Sequence, residues 1–226
     1  MVGRFLSTVQ VARRSALRRM AYLVPLLWLT AIVVGLGALQ EYKSRPGGTG
    51  HTPVALPETV PGVEGEARAR LLMFVHPKCP CSKASVGELA EIATRESGKV
   101  AVDVVFVKPS GANEDWSKTA LREQAAAIPG ARLIDDDGTL ARRLGAETSG
   151  YVVLYDADGK LLFSGGITRS RGHEGDNSGR QAICALLNGS SDGFTGAKTP
   201  VFGCPLFTPG QCANPKGSAD GNGRLP

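Results

Sequence analysis

Apolar and polar positions divide this chain into a few contrasting stretches. Residues 21–39, AYLVPLLWLTAIVVGLGAL, are nineteen positions without a charge. A helix of that length spans roughly 28 Å, close to the hydrocarbon thickness of a bilayer. Pro25 falls near its expected start, where a missing N–H does little harm. Residues 40–66 have no apolar periodicity and are punctuated by proline and glycine, the pattern of a tether. His51 lies there and reads as a solvated linker histidine. Order is expected from Arg70 to His76, RLLMFVH, a run typical of a buried strand. Val86, Leu89, Ala90 and Ala93 follow at helical spacing. VAVDVVFV, Val100 to Val107, predicts a central strand. Leu121, Ala125 and Ile128 mark a second helix, ARLI leads into DDDG, and a brief helix runs through Leu140 to Leu144. YVVLYDADGKLLFSGG predicts a hairpin turning at Ala157 to Gly159. A last helix is expected from Asn177 to Leu187, with Ile183, Leu186 and Leu187 facing inward. Residues 189–226 are rich in glycine, serine and proline and predict little regular structure.

That order predicts an α/β fold, a mixed central sheet flanked by helices, in one domain over residues 67–188. The formal charge of +5 changes little. Arg4, Arg13, Arg14, Arg18 and Arg19 lie in residues 1–20, which contain no acid, and the remaining 21 basic residues balance 21 acidic ones. No basic field is left for a nucleic acid. The arginines instead suit a cytoplasmic stub before a transmembrane anchor, with everything after residue 39 exported. A cleaved signal peptide is the competing reading, but the apolar span is long for one and no clean small-x-small cleavage site precedes Gln40. The expected location is a bacterial inner membrane, single-pass, with the C-terminal domain in the periplasm.

Export gives the five cysteines meaning, because thiols outside the cytoplasm tend to be oxidised or functional. Cys79 and Cys81 lie in HPKCPCS at a strand-to-helix junction. Pro80 suits the first helical position, so a Cys79 sulfur at the cap would face the amides of Cys81 and Ser82 and the positive helix end. Lys78, Lys83 and a protonated His76 would add positive charge. These terms favour a solvent-accessible thiolate, which makes Cys79 the expected nucleophile. Cys81 is an awkward partner, since helical positions i and i+2 point nearly opposite ways. A Cys79–Cys81 disulfide needs a distorted first turn and would be easily reduced. Otherwise Cys79 acts alone and is resolved from elsewhere, and Cys204 in VFGCPLF is a candidate that would have to fold back. Cys204 and Cys212 enclose PLFTPGQ and form a candidate structural disulfide. Cys184, among Ile183 and Leu187, reads as a buried inert thiol. Trp116 reads as core.

The element order, with cysteine at the first strand-to-helix junction, resembles the thioredoxin-like superfamily. LLMFVHPKCPCS, LIDDDGTLARRLGA and VVLYDADGKLLFSGG are similar to membrane-anchored thiol–disulfide proteins of the TlpA and ResA kind, over about Ala69 to Asn188. HPKCPCS, SGGIT and RGHEGDN together look like a bacterial group labelled RedB. The resemblance implies thiol–disulfide exchange with a thiol or disulfide protein, with Cys79, Cys81 and Ser82 as the catalytic motif and no cofactor. Two departures follow from it. Ser82 stands where the family has its second cysteine. Gly150 stands where the family has a cis-proline over the sulfurs, which is expected to leave open space and bare backbone there.

Two other functions fit the same residues. Soft thiolates with imidazole suit Cu(I), giving copper held by Cys79, Cys81 and His173 as an alternative. Copper-delivery proteins of the Sco type resemble this idea but use Cys-x-x-x-Cys. His173 follows the second hairpin strand, at the sheet end expected to carry Cys79, so it joins His76 and Gly150 as a candidate for the site's edge. The bland reading of its loop is a solvated turn, Arg169, Arg171, His173, Glu174 and Asp176, with Asp176 or Asn177 capping the last helix. The second alternative is a catalytically inactive docking module.

Overall fold

The computed structural model describes residues 2–57, 60, 68–108, 114–116, 118–190 and 197–207. The chain divides into two units at Ser44 and Arg45. The first is a single helix, α1 (Val2–Ser44), whose Arg19–Ser44 part contains an 18-residue window of mean hydropathy 2.1 and is long and apolar enough to cross a membrane. Tyr22, Leu27, Trp28 and Val34 are all exposed on it, as a span facing lipid would have them. Pro25 lies inside α1, not at its start, because the helix continues toward the N-terminus through the arginine-rich stub.

The second unit carries β1 (Ala69–Val75), α2 (Ser82–Arg95), β2 (Val100–Val107) and a 3₁₀ turn (Glu114–Trp116). It continues with α3 (Ala120–Ala126), β3 (Arg132–Asp136), α4 (Thr139–Arg143), β4 (Tyr151–Tyr155), β5 (Leu161–Gly166), α5 (Ser178–Leu187) and β6 (Ala197–Thr199). Among the described residues the sheet runs β3-β2-β1-β4-β5-β6. β1, β2 and β3 are parallel, β4 is antiparallel to both β1 and β5, and β6 lies parallel to β5. A parallel β1–α2–β2 unit followed by an antiparallel hairpin and a closing helix is the connectivity of a thioredoxin-like fold.

Strand periodicity sorts the core into two layers. Leu71, Met73 and Val75 face Val86, Leu89 and Ile92 of α2 and Ile183 of α5. Leu72 and Phe74 face the other way, toward Tyr151, Val153, Leu144, Val201 and Leu206. Asp103, the one charge in β2, is fully buried and paired at 2.7 Å with Arg70 and at 2.7 Å with Arg132, which removes the penalty of a lone buried carboxylate. Local chemistry fixes the ends of several elements. Asp136 accepts hydrogen bonds from the Leu140 and Ala141 amides at 3.0 Å and so starts α4. Asp156 accepts from the Asp158 and Lys160 amides, which turns the hairpin. Asn177 accepts from the Arg180 amide at 2.7 Å and caps α5.

The described residues that follow α1 do not form a free tether. Gly47 N donates to Val201 O, Gly50 N to Gly145 O and Leu56 N to Gly159 O, at 2.7–2.9 Å. Thr52 and the Tyr151 hydroxyl hydrogen-bond each other, and the Tyr155 hydroxyl donates to Pro53 O at 3.0 Å. The segment is a strap across the second layer, held through backbone groups that a composition of proline and glycine does not reveal. His51 is exposed on it. The tail also differs from its expected irregularity: β6 extends the sheet, and Val201, Leu206 and Phe207 complete the second layer. Cys212 and its expected bridge to Cys204 lie outside the described residues.

Candidate active site

The turn between β1 and α2 is tighter than an ordinary helix start. Cys79 N donates to His76 O at 3.0 Å, Ser82 N to Cys79 O at 3.2 Å and Lys83 N to Pro80 O at 3.4 Å. The helix begins at Ser82 with Cys81 as the residue before it, two residues later than the expected start at Pro80. Cys79 therefore sits ahead of the helix, and the Ser82 group rather than a cap position joins it to the helix end.

Cys79 is only 3% exposed, against the expectation of an accessible sulfur. What covers it is the tail. Cys204 Sγ lies 3.0 Å from Cys79 Sγ, and the Cys204 amide donates to Cys79 Sγ at 3.3 Å. The tail reaches this point as an extended segment running against residues 147–149. Ser149 N donates to Cys204 O and Leu206 N to Glu147 O, both at 2.8 Å, around a bridge between Thr148 and Pro205. Cys204 and Cys79 are thus brought together through backbone pairing between segments more than fifty residues apart in sequence.

The surroundings of Cys79 are polar despite its burial. Burial pushes its thiol up, but hydrogen bonds from the Cys204 and Ser82 side chains and from their backbone amides outweigh this and hold it below the ordinary value. Hydroxyl order explains part of that. His76 N donates to Ser149 Oγ at 2.7 Å, so the Ser149 hydrogen is free to reach Ser82 Oγ at 2.6 Å. Ser82 then has its own hydrogen to offer the sulfur. Cys204 is the opposite case: burial, the hydrogen bond to Cys79 and the charges of Cys79 and Cys81 push it up to about 12. Cys81, partly exposed, is raised by burial and by the neighbouring Cys79 charge, against a downward pull from Arg171. One low sulfur faces two high ones, which marks Cys79 as the thiolate of the group.

Other expected residues lie where their chemistry differs. His76 is half-buried and packs edge-on to Trp116 with ring centroids 5.4 Å apart, while Lys78 Nζ lies 4.2 Å from the Trp116 ring centre. Burial and the Lys78 charge push His76 below its ordinary value, which disfavours the protonated form that would add positive charge here. Trp116 belongs to this wall and to neither core layer. Gly150 has φ +91°, which suits glycine, but no open space adjoins it: a Cβ there would lie 2.7 Å from Ser85 Oγ. The residue beside it, Ser149, carries the contacts. His173 is exposed, and among the described residues no group of three or more His, Cys, Asp and Glu side chains gathers as a metal cluster. Its loop supplies Arg171 instead, which hydrogen-bonds the Gly203 carbonyl and the Cys81 sulfur. Cys184 lies apart, beside Glu96, and is raised first by burial and then by that carboxylate.

Ser149 and Arg171 were not singled out by sequence reasoning. Ser149 adjoins the hairpin glycine, and only the tight TSG turn hints at it. Arg171 looked like any loop cation.

No protein-family model matches the chain. No curated protein does either. Among solved structures, a hypothetical protein from Sinorhizobium meliloti is similar at a TM-score of 0.52 and 20% identity, over 74% of this chain and 96% of that one. An uncharacterized conserved protein from Geobacillus kaustophilus is similar at a TM-score of 0.51 and 19% identity, over 74% and 91%. A secreted Mycobacterium tuberculosis disulfide oxidoreductase gives 0.39 and 15%, over 55% and 83%. The element order and sheet connectivity described above are those of a thioredoxin-like fold.

Proposed function

We propose that this protein is a membrane-anchored thiol–disulfide exchange protein whose working pair is Cys79 and Cys204. The observation that carries this is the 3.0 Å approach of the two sulfurs, with the Cys204 amide turned onto Cys79. That separation is longer than the ~2.05 Å of a disulfide and needs only a small closure to become one.

In the direction that reduces a partner, the tail swings aside and the Cys79 thiolate attacks one sulfur of the partner's disulfide. The Cys79–partner bond forms, the partner's S–S bond breaks, and its second sulfur leaves as a thiolate. The tail then returns. Cys204 gives up its proton to that departing thiolate and attacks Cys79, expelling the partner's first sulfur as a thiolate that takes a proton from water. The partner leaves as a dithiol, and Cys79–Cys204 is the new disulfide. The reverse sequence oxidises a partner dithiol. Held beside Cys79 by backbone pairing, Cys204 has a high effective concentration, which keeps the mixed intermediate short-lived. Ser82 occupies the place of a second motif cysteine and serves the thiolate as a hydrogen-bond donor. The apolar helix α1 supports a single-pass anchor, and the RedB resemblance adds a bacterial envelope setting to this reading.

The test is disulfide mapping by mass spectrometry on the full chain in detergent after mild oxidation. A Cys79–Cys204 cross-link that persists in Cys81→Ser and vanishes in Cys204→Ser is expected. A cross-link confined to Cys79 and Cys81 would overturn the assignment.

A further inference from the structure

The loop between β5 and α5 is unusually well anchored for a stretch so rich in charge. Buried Glu88 on α2 accepts from Gly175 N at 2.5 Å, Asn177 Nδ2 at 3.0 Å and Arg180 Nη1 at 2.6 Å. The carboxylate thereby pins the far end of the loop to the helix that follows the reactive cysteine. From the near end Arg171 reaches back. Its Nη1 donates to Gly203 O, its Nη2 to Arg45 O at 3.3 Å, and the guanidinium also donates to the Cys81 sulfur. One side chain therefore touches the tail, the N-terminal strap and the motif.

The Gly203 carbonyl belongs to the peptide that delivers Cys204. Gly203 packs its backbone directly against residue 149, since a Cβ there would collide with the Ser149 carbonyl. Among the described residues, the remaining hydrogen bonds to Val201, Cys204 and Leu206 come from backbone amides or run to Cys79 itself. Arg171 is thus the side chain whose chemistry can set how firmly Cys204 is presented. A guanidinium suits the task because its planar fork serves two carbonyls and a sulfur at once and never loses its charge.

We propose that Arg171 is a positioning residue for exchange: it clamps the Gly203–Cys204 peptide over Cys79 while its charge faces Cys81. This rests on the Cys79–Cys204 pair proposed above. With the clamp in place, closing the Cys79–Cys204 disulfide costs little chain entropy and the oxidised pair resists reduction. Without it, Cys204 samples positions away from Cys79, and the same disulfide is reduced more readily. Arginine's two functions also separate. A lysine restores charge beside Cys81 but cannot hold two carbonyls and a sulfur together.

The experiment equilibrates the full chain in detergent with reduced and oxidised glutathione and reads the oxidised fraction by alkylation and mass. Arg171→Met is expected to lower the equilibrium constant for the disulfide about tenfold, which is about 30 mV for a two-electron couple. Arg171→Lys should recover little of that. The pH at which Cys81 is alkylated should rise in Arg171→Met and return toward the native value in Arg171→Lys, a split that a merely structural side chain would not produce. Equal equilibrium constants in the native chain and Arg171→Met overturn the role of Arg171 alone. Absence of any Cys79–Cys204 disulfide in the native chain overturns the exchange pair and this inference with it. Should Arg171→Met fail to fold, the lysine variant still reads the clamp, and a native constant there would refute it.

Discussion

The two faces of the sheet are built by different means. One is covered by α2, α3 and α5, helices that follow their strands closely in sequence and bury stripes at helical spacing. The other is covered by α4, the strap carrying Leu56, Val60 beyond it, and the tail's Val201, Leu206 and Phe207. Apart from α4, those pieces come from the two ends of the unit, and they meet over Phe74 and Tyr151. The helical face is a matter of local pattern and the strapped face a matter of chain closure. Cys79 lies at the seam, its backbone leading into the helical side and its sulfur turned to the strap side. Redox state should therefore be coupled to the strapped face and nearly silent on the helical one.

The largest effect that could break this contrast is on global stability. A Cys79–Cys204 disulfide closes a loop of more than a hundred residues, which the chain-entropy model values at about 4–5 kcal/mol. Oxidised protein should unfold at clearly higher denaturant than reduced protein, and Cys204→Ser should abolish the difference. Similar midpoints for both forms of the native chain would mean that the tail's docking does not depend on the sulfurs.

Core truncations come next, and they separate the faces. Leu89→Ala and Phe207→Ala should each cost about 3 kcal/mol, from lost burial and the cavity left behind. Only Phe207→Ala, which loosens the tail, should also speed alkylation of reduced Cys79 under native conditions. Equal acceleration by both would show that the sulfur is reached by global unfolding and not by release of the tail.

The same contrast decides what could be read from the residues alone. β1, β2, the hairpin and α5 with its Asn177 cap carry period, length and capping signals within a dozen residues. So does Cys79, placed by a strand ending and a helix beginning. The strap and tail have no period, because their order comes from single hydrogen bonds to partners a hundred or more residues away, such as Gly47 with Val201 and Thr148 with Gly48. Cys204 was legible as a cysteine able to resolve Cys79, but nothing local fixed its approach. His173 and Arg171 show the limit inside one loop. Which side chain turns inward follows from how Glu88 fastens the loop's other end, and that contact joins residues nearly ninety positions apart.

A smaller effect tests whether the strap belongs to the face or merely rests on it. Thr52→Val removes one partner of the Tyr151 hydroxyl in a buried setting and should cost roughly 1 kcal/mol in chemical denaturation. No loss at all would mean that the strap's hydrogen bonds exchange freely with water.

The finest distinction is in pH dependence, because the seam holds one lowered and one raised thiol. Cys79 is held below its ordinary value in the fold, by hydrogen bonds that outweigh burial. Between that depressed value and the ordinary thiol range near 8.5, the unfolded chain holds a proton that the folded chain has lost. Stability of reduced protein should then rise with pH across that window, and its contribution is lost as pH falls through the folded value. Cys204 runs the other way, raised to about 12 by burial and by the neighbouring sulfurs. Above the ordinary thiol value the unfolded chain ionises it and the folded chain does not, so stability should fall between there and about pH 12. Cys81, Cys184, Tyr151 and Tyr155 are also raised, each chiefly by burial, but they remain titratable in the oxidised protein. Subtracting the oxidised curve from the reduced one isolates the two seam sulfurs to a first approximation. The difference should climb and then descend, and Ser149→Ala, which disorders the hydroxyl donated to Cys79, should shrink the climb while sparing the descent. A flat difference would remove the thiolate from the seam and with it the asymmetry between the sulfurs.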